Sequence, residues 1–130
     1  MRRDIGAHQI EVDGDLVIAR SYGRWTLQET EQMIAIWNEL LEKYGRLFEV
    51  GDFSDGIELD AAVRRLLIDW SKTHQFTALA IVVKSLPVRA IATLVVRGAQ
   101  LVNPGAPSPL FCSTFEEGYA FVEQARKQRG

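Results

Sequence analysis

Residues Phe76–Val83, FTALAIVV, form a continuous apolar, β-branched run. Such a run is what a strand covered on both faces requires, because neither face meets water. Helical patterns stand on either side of it, Leu59–His74 before and Val88–Leu101 after. A strand placed between two helices in this way pairs in parallel with its neighbours. Right-handed crossovers then lay helices over both sides of the sheet. This one segment therefore excludes an all-helical bundle and an all-antiparallel sandwich.

The other elements fall into line with it. His8–Val12 alternates polar and apolar as a half-buried strand does, and Leu16–Tyr22 continues after an Asp13-Gly14 turn. Asp-Gly suits a type I′ hairpin, whose two central residues both need positive φ. Thr26-Leu27-Gln28-Glu29 has the capping-box pattern of a helix start. The helix runs to about Tyr44, with Gly45 as its stop. Leu27, Ile34, Trp37, Leu41 and Tyr44 supply one apolar stripe. Leu47–Phe53 is a strand. In the second helix, Leu59–His74, the residues Val63, Leu66, Leu67 and Trp70 point inward. Pro87 stands near the first turn of a third helix, Val88–Leu101. Asn103–Pro109 is a proline-rich loop and Leu110–Cys112 a short last strand. A second capping box, Thr114 to Glu117, opens a final helix to about Lys127. The order is a β-hairpin followed by α β α β α β α, with no linker, repeat or low-complexity tract, and residues 1–130 are read as one domain.

Composition narrows the function classes. The chain has 130 residues, 47% of them hydrophobic, and a net charge of -2, with no basic stripe of the kind that binds nucleic acid. One cysteine, Cys112, allows no internal disulfide. It sits in an apolar strand, where thiols are inert more often than reactive. MRRDIGAHQIEV lacks the apolar core of a secretory signal, and the apolar runs are too short to span a bilayer. A soluble cytoplasmic protein without stable membrane insertion is the expectation.

Candidate chemistry gathers after the strand Leu47–Phe53. Asp52, Asp55, Glu58 and Asp60, with Ser54 among them, lie at the C-terminal strand edge, where α/β sheets meet ligands. Such carboxylates hold Mg²⁺ or recognise a partner. Equally, Asp60 or Glu58 caps the next helix, and Asp52 and Asp55 hold the turn. Ser54 lacks the Gly-x-Ser-x-Gly elbow of a hydrolase, and His8 and His74, the only candidate bases, are read as surface residues. No metal, cofactor or catalytic set is expected. Val88, Ala92, Val95 and Ala99 make one face of the third helix, with Ile91, Leu94 and Leu101 on another. That stripe is wider than packing on a sheet needs. Val88, Ile91, Leu94 and Val95 are therefore candidates for an interface with a second copy or a lipophilic ligand. Trp25 is the tryptophan expected to be exposed.

The order of elements, the strand ending in Asp52-Phe53-Ser54 and the closing Phe115-Glu116-Glu117-Gly118-Tyr119-Ala120 resemble the STAS fold, in its SpoIIAA-like (STAS/SEC14-like) branch. The resemblance spans about Ile10 to Ala125. It implies a mixed, mostly parallel five-stranded sheet with about four helices. It also implies a non-enzymatic module that binds protein partners, nucleotides or small apolar molecules. Anti-sigma-factor antagonists of this group carry Asp-Ser-Ser-Gly at the start of the helix after this strand. Here that place holds Asp60-Ala61-Ala62-Val63, so the serine phospho-switch is absent from its usual position. The expectation is a regulatory binding module and homodimer with a protein partner. A carrier or sensor of a small apolar ligand is the alternative, and a hydrolase is a distant third.

Overall fold

The computed structural model describes residues 1–129. β1 (Gln9–Asp13) and β2 (Leu16–Arg20) form the expected antiparallel hairpin, with Asp13 opposite Leu16. That register makes Gly14-Asp15 the two-residue loop. Only Gly14 has positive φ, at 62°, so the turn follows the II′ pattern rather than I′. Asp15 is thereby turned inward, where Arg46 and Arg126 each donate to it at 2.6 Å. Burial pushes the Asp15 carboxyl up, but the two guanidinium groups outweigh it and hold the acid below its ordinary range.

α1 (Leu27–Tyr44) leads to β4 (Phe48–Asp52), α2 (Ala61–Ser71) to β6 (Ala78–Val82), and α3 (Leu86–Val102) to β7 (Leu110–Cys112) and α4 (Phe115–Arg129). The main sheet has the order β1-β2-β4-β6-β7, and every pair after the hairpin is parallel. This is the mixed, mostly parallel five-stranded sheet with four helices that the sequence pattern predicts. Two short segments, β3 (Gly23–Arg24) and β5 (Ile57–Glu58), add a small parallel pair that sequence reasoning did not anticipate.

The helix ends follow the capping chemistry. Thr26 and Glu29 exchange both bonds of the capping box, and Gly45 closes α1 at φ 71°. Asp60, not Glu58, caps α2 by accepting from the Val63 N–H at 3.0 Å. Ser85 caps α3, with Pro87 in its first turn.

The two faces of the sheet are covered unequally. α4 alone lies on one face, over Phe48, Val50, Ala80, Val82 and Cys112, with Val122 fully buried between them. Gly118 makes this approach possible, because a Cβ there would stand 3.2 Å from both Ala80 Cβ and Cys112 Sγ. α1, α2 and α3 cover the opposite face, over Val17, Ala19 and Ile81. The stripe of α1 is rotated from expectation. Thr30, Met33, Ile36, Trp37 and Leu40 are buried, whereas Leu27 is exposed. In α2, Val63 and Trp70 are buried and Leu66 and Leu67 only half-buried.

Candidate functional site

The face under α1–α3 is not filled. A cavity of about 180 Å³ lies between the centre of the sheet and the three helices. Its floor is Ala19 of β2, Glu49 and Gly51 of β4, and Leu79 and Ile81 of β6. The strand registers set Ala19, Gly51 and Ile81 side by side across the sheet, so two of three neighbouring floor positions are small. Met33 and Trp37 of α1, Leu67 and Trp70 of α2, and Ala92, Val95, Val96 and Ala99 of α3 form the walls. Trp25, Ile57 and Leu59, in and directly after the β3–β5 pair, close one end. At the other end the rim includes His74, Gln75, Gln100 and Pro107. There Gln100 Nε2 donates to Ser108 Oγ at 3.3 Å, and Asn103 Nδ2 to Gln75 Oε1 at 3.4 Å. A polar groove shares His74, Gln75 and Pro107 with this rim and is lined also by Lys72 and Arg46.

Glu49 is the chemical centre of this site. Its strand neighbours, Phe48 and Val50, face α4, so Glu49 itself must point into the cavity. It is 7% exposed, and Trp37 Nε1 donates to its Oε1 at 2.8 Å. The second carboxyl oxygen has no hydrogen-bond partner among the described residues. No side-chain polar atom among them is both sealed off and unpaired, so this oxygen opens on the cavity. Burial pushes the acid up to about 7, and the Trp37 hydrogen bond opposes that rise only in part. Around it stands an aromatic wall. The Trp37 ring lies 4.9 Å from Trp70 and 5.0 Å from Phe76, and Trp70 stacks on His74 at 5.1 Å. Among the described residues neither Lys nor Arg lines the cavity.

Sequence reasoning missed Glu49. The trace was available: it is a lone charge inside LFEVG, at the middle of a strand otherwise fit for burial on both faces.

The expected acidic edge is built differently. Asp52 Oδ1 accepts from the Ser54 amide at 3.0 Å and from its hydroxyl at 2.6 Å, which fixes the turn after β4. Asp60 caps α2 and lies 3.7 Å from Arg24. Asp55 and Glu58 are exposed. Among the described residues no three His, Cys, Asp or Glu side chains are grouped to hold a metal ion. The edge thus presents Asp55, Glu58 and Asp60 to solvent, outside the cavity.

Other expectations change with burial. Trp25 is buried, not exposed: it stacks on His8 with ring centroids 4.0 Å apart, and its Nε1 donates to Ser21 Oγ at 2.9 Å. His8 is buried rather than on the surface. It accepts from the Tyr22 amide at Nδ1 and so carries its proton at Nε2, toward the Arg24 carbonyl. Cys112 is buried, and that burial, with Glu117 and Asp52 nearby, pushes its thiol up. Of the four interface candidates, Leu94 alone is exposed. Val88 and Ile91 are half-buried, and Val95 lines the cavity. The exposed stripe of α3 is Leu86, Leu94 and Leu101.

No family model matches the chain, and no curated protein is similar to it in sequence. Among solved structures it is similar to an uncharacterised protein of the DUF3478 family with a SpoIIAA-like fold from Shewanella loihica PV-4. The TM-score is 0.56 at 20% identity, over 89% of this chain and 92% of that one. At that identity the likeness concerns the fold: this chain has a SpoIIAA-like fold of the STAS type.

Proposed function

We propose that the chain is a non-catalytic binding module that takes a small, mostly apolar molecule into the cavity between the sheet and α1–α3. One observation carries this reading: about 180 Å³ lies unfilled at the centre of the sheet, where a core is normally dense. An apolar occupant gains the contacts that this space leaves unmade. The volume slightly exceeds the roughly 150 Å³ of an engineered cavity that holds benzene, and lies below the roughly 300–1,000 Å³ of drug-sized sites. A single ring or a short branched chain fits within it. A binder is favoured over an enzyme because, among the described residues, Glu49 is the one acid that lines the cavity and each lining hydroxyl is engaged. The Thr30 hydroxyl donates to the Thr26 carbonyl, the Ser71 hydroxyl to the Leu67 carbonyl, and Ser21 Oγ receives the Trp25 N–H.

The test is toluene binding, read by tryptophan fluorescence and thermal shift, with Gly51→Val as the blocked control. A Cβ at Gly51 meets only ordinary contacts, the nearest 3.5 Å away, and the backbone there is not left-handed, so the substitution adds carbons at the cavity floor without backbone strain, and circular dichroism checks its fold. Saturable binding by the wild type, lost in Gly51→Val, supports the reading. Equal responses, or none, remove it.

A second reading concerns the outer surface. The exposed Leu86, Leu94 and Leu101 on one face of α3 suit a second copy of the chain. The solvent-facing Asp55, Glu58 and Asp60 suit a basic protein partner, without a serine phospho-switch. Sedimentation across a concentration series tests self-association, and a monomer throughout, or a dimer unaffected by Leu94→Glu, refutes it.

A further inference from the structure

We propose that the molecule held in the cavity is a small organic amine, its ammonium group bound by the Glu49 carboxylate beside the Trp37 and Trp70 rings. This deepens the cavity reading and rests on it.

The argument begins with what Glu49 lacks. A carboxylate offers about four acceptor positions, and here a single protein donor, Trp37 Nε1, occupies one of them. The free oxygen opens on the cavity, and among the described residues no Lys or Arg lines that space to compensate the charge. A buried carboxylate without a counter-ion is strongly disfavoured. An ammonium supplies both missing elements, a positive charge and up to three donors. The walls suit the same ligand, since Trp37, Trp70 and Phe76 present aromatic surface, and ring faces attract cations once water is excluded. A ligand that is itself a carboxylate would face like charge with no cation to relieve it. The apolar remainder of the ligand is bounded by the volume: a ring plus one or two further heavy atoms.

The other charged groups do not oppose this. His74, at the rim, is the second titratable side chain of the cavity, and its ring lies flat on Trp70. Arg46 and Lys72, in the outer groove, are already engaged, with Asp15 at 2.6 Å and Asp69 at 3.1 Å. Burial keeps the free acid protonated below about pH 7, so an ammonium entering there displaces the Glu49 proton to solvent.

The experiment compares three probes of one shape, benzylamine, toluene and benzoate, titrated at pH 8 into the wild type and Glu49→Gln. In the wild type benzylamine is expected to bind at least about tenfold more tightly than toluene, the size of one charge-assisted hydrogen bond, and benzoate not at all. In Glu49→Gln that preference vanishes while toluene still binds, which also reports that the variant is folded. Benzylamine no tighter than toluene in the wild type, a preference that survives Glu49→Gln, or binding of benzoate overturns the amine assignment and leaves the cavity reading standing. Failure of all three probes in the wild type overturns both.

Discussion

Replacing Glu49 with Gln isolates the energetic consequence of placing an acid at the centre of the sheet. The substitution preserves volume and leaves an oxygen to accept the Trp37 N–H, so packing is nearly unchanged. What disappears is titration. In the folded chain burial raises the acid from an ordinary 4.5 to about 7, whereas in the unfolded chain it returns to the ordinary value. The folded state therefore holds its proton more tightly than the unfolded state. Stability from this group is complete below the unfolded pKa, falls as pH rises between the two values, and levels off above the folded one. Between those values stability falls by about 1.4 kcal/mol for each step of one in pH. The wild type therefore loses about 2.5 kcal/mol between pH 5 and pH 8, and Glu49→Gln does not. The assay is urea unfolding followed by far-UV circular dichroism at half-unit pH steps, for both proteins without added ligand. The difference between the two curves is the informative quantity, because it cancels every other group. Asp15, whose carboxyl is held low by Arg46 and Arg126, destabilises both proteins alike only as pH falls toward acid values. The variant should become the more stable of the two as pH rises through 7. Parallel curves from pH 5 to pH 8 would refute the reasoning and mean that Glu49 is solvated.

Two further outcomes probe the frame around the cavity. Gly118→Ala improves helix propensity by about 1 kcal/mol, yet its methyl group would press on Ala80, Cys112 and Val50, none of which has a flexible end to move aside. Net destabilisation of about 1 kcal/mol in chemical denaturation is expected, and a gain in stability would show that α4 is not seated as described. The Cys112 thiol, buried and held up by that burial and by Glu117 and Asp52, should react with iodoacetamide only as fast as the chain opens. Rapid alkylation at pH 8 without denaturant contradicts its position.

Much of the fold was legible because it rests on local chemistry. The capping box at Thr26, the Thr114 hydroxyl that accepts from the Glu117 N–H at the start of α4, Gly45 as a helix stop and the apolar run of β6 are each decided within a few residues. What escaped depends on neighbours distant in sequence. Trp25 follows Tyr22-Gly23-Arg24, a stretch with no apolar period, and it is buried by the His8 ring, the Ser21 hydroxyl and the apolar cluster that includes Ile10 and Ile57. The stripe of α1 was misplaced because two adjacent apolar rows run along the helix, Ile34, Leu41 and Tyr44 beside Met33, Ile36 and Leu40, and the buried row includes Thr30, which is polar by type. In place, its hydroxyl donates to the Thr26 carbonyl at 2.9 Å, so it is buried without loss. The two-residue strands β3 and β5 are too short to carry a pattern of their own. The acidic edge drew attention as a cluster along the chain, but carboxylates close in sequence diverge once one bonds Ser54 and another caps a helix.

The two faces of β4 make the case for the cavity more sharply than its volume does. Phe48 and Val50 are fully buried against α4 in dense packing. Glu49 and Gly51, from the same few residues, meet the opposite face with a buried acid and no side chain at all. Each is a poor choice for a central strand: glycine weakens it, and an unpaired acid resists burial. The failure is confined to one face, where Ala19 beside Gly51 and Ala92 and Ala99 above it also leave room. A strand merely poor in sequence would be poor on both sides. Departures from good packing that converge on one volume, with the free oxygen of a buried acid opening into it, are the mark of a space kept for something else.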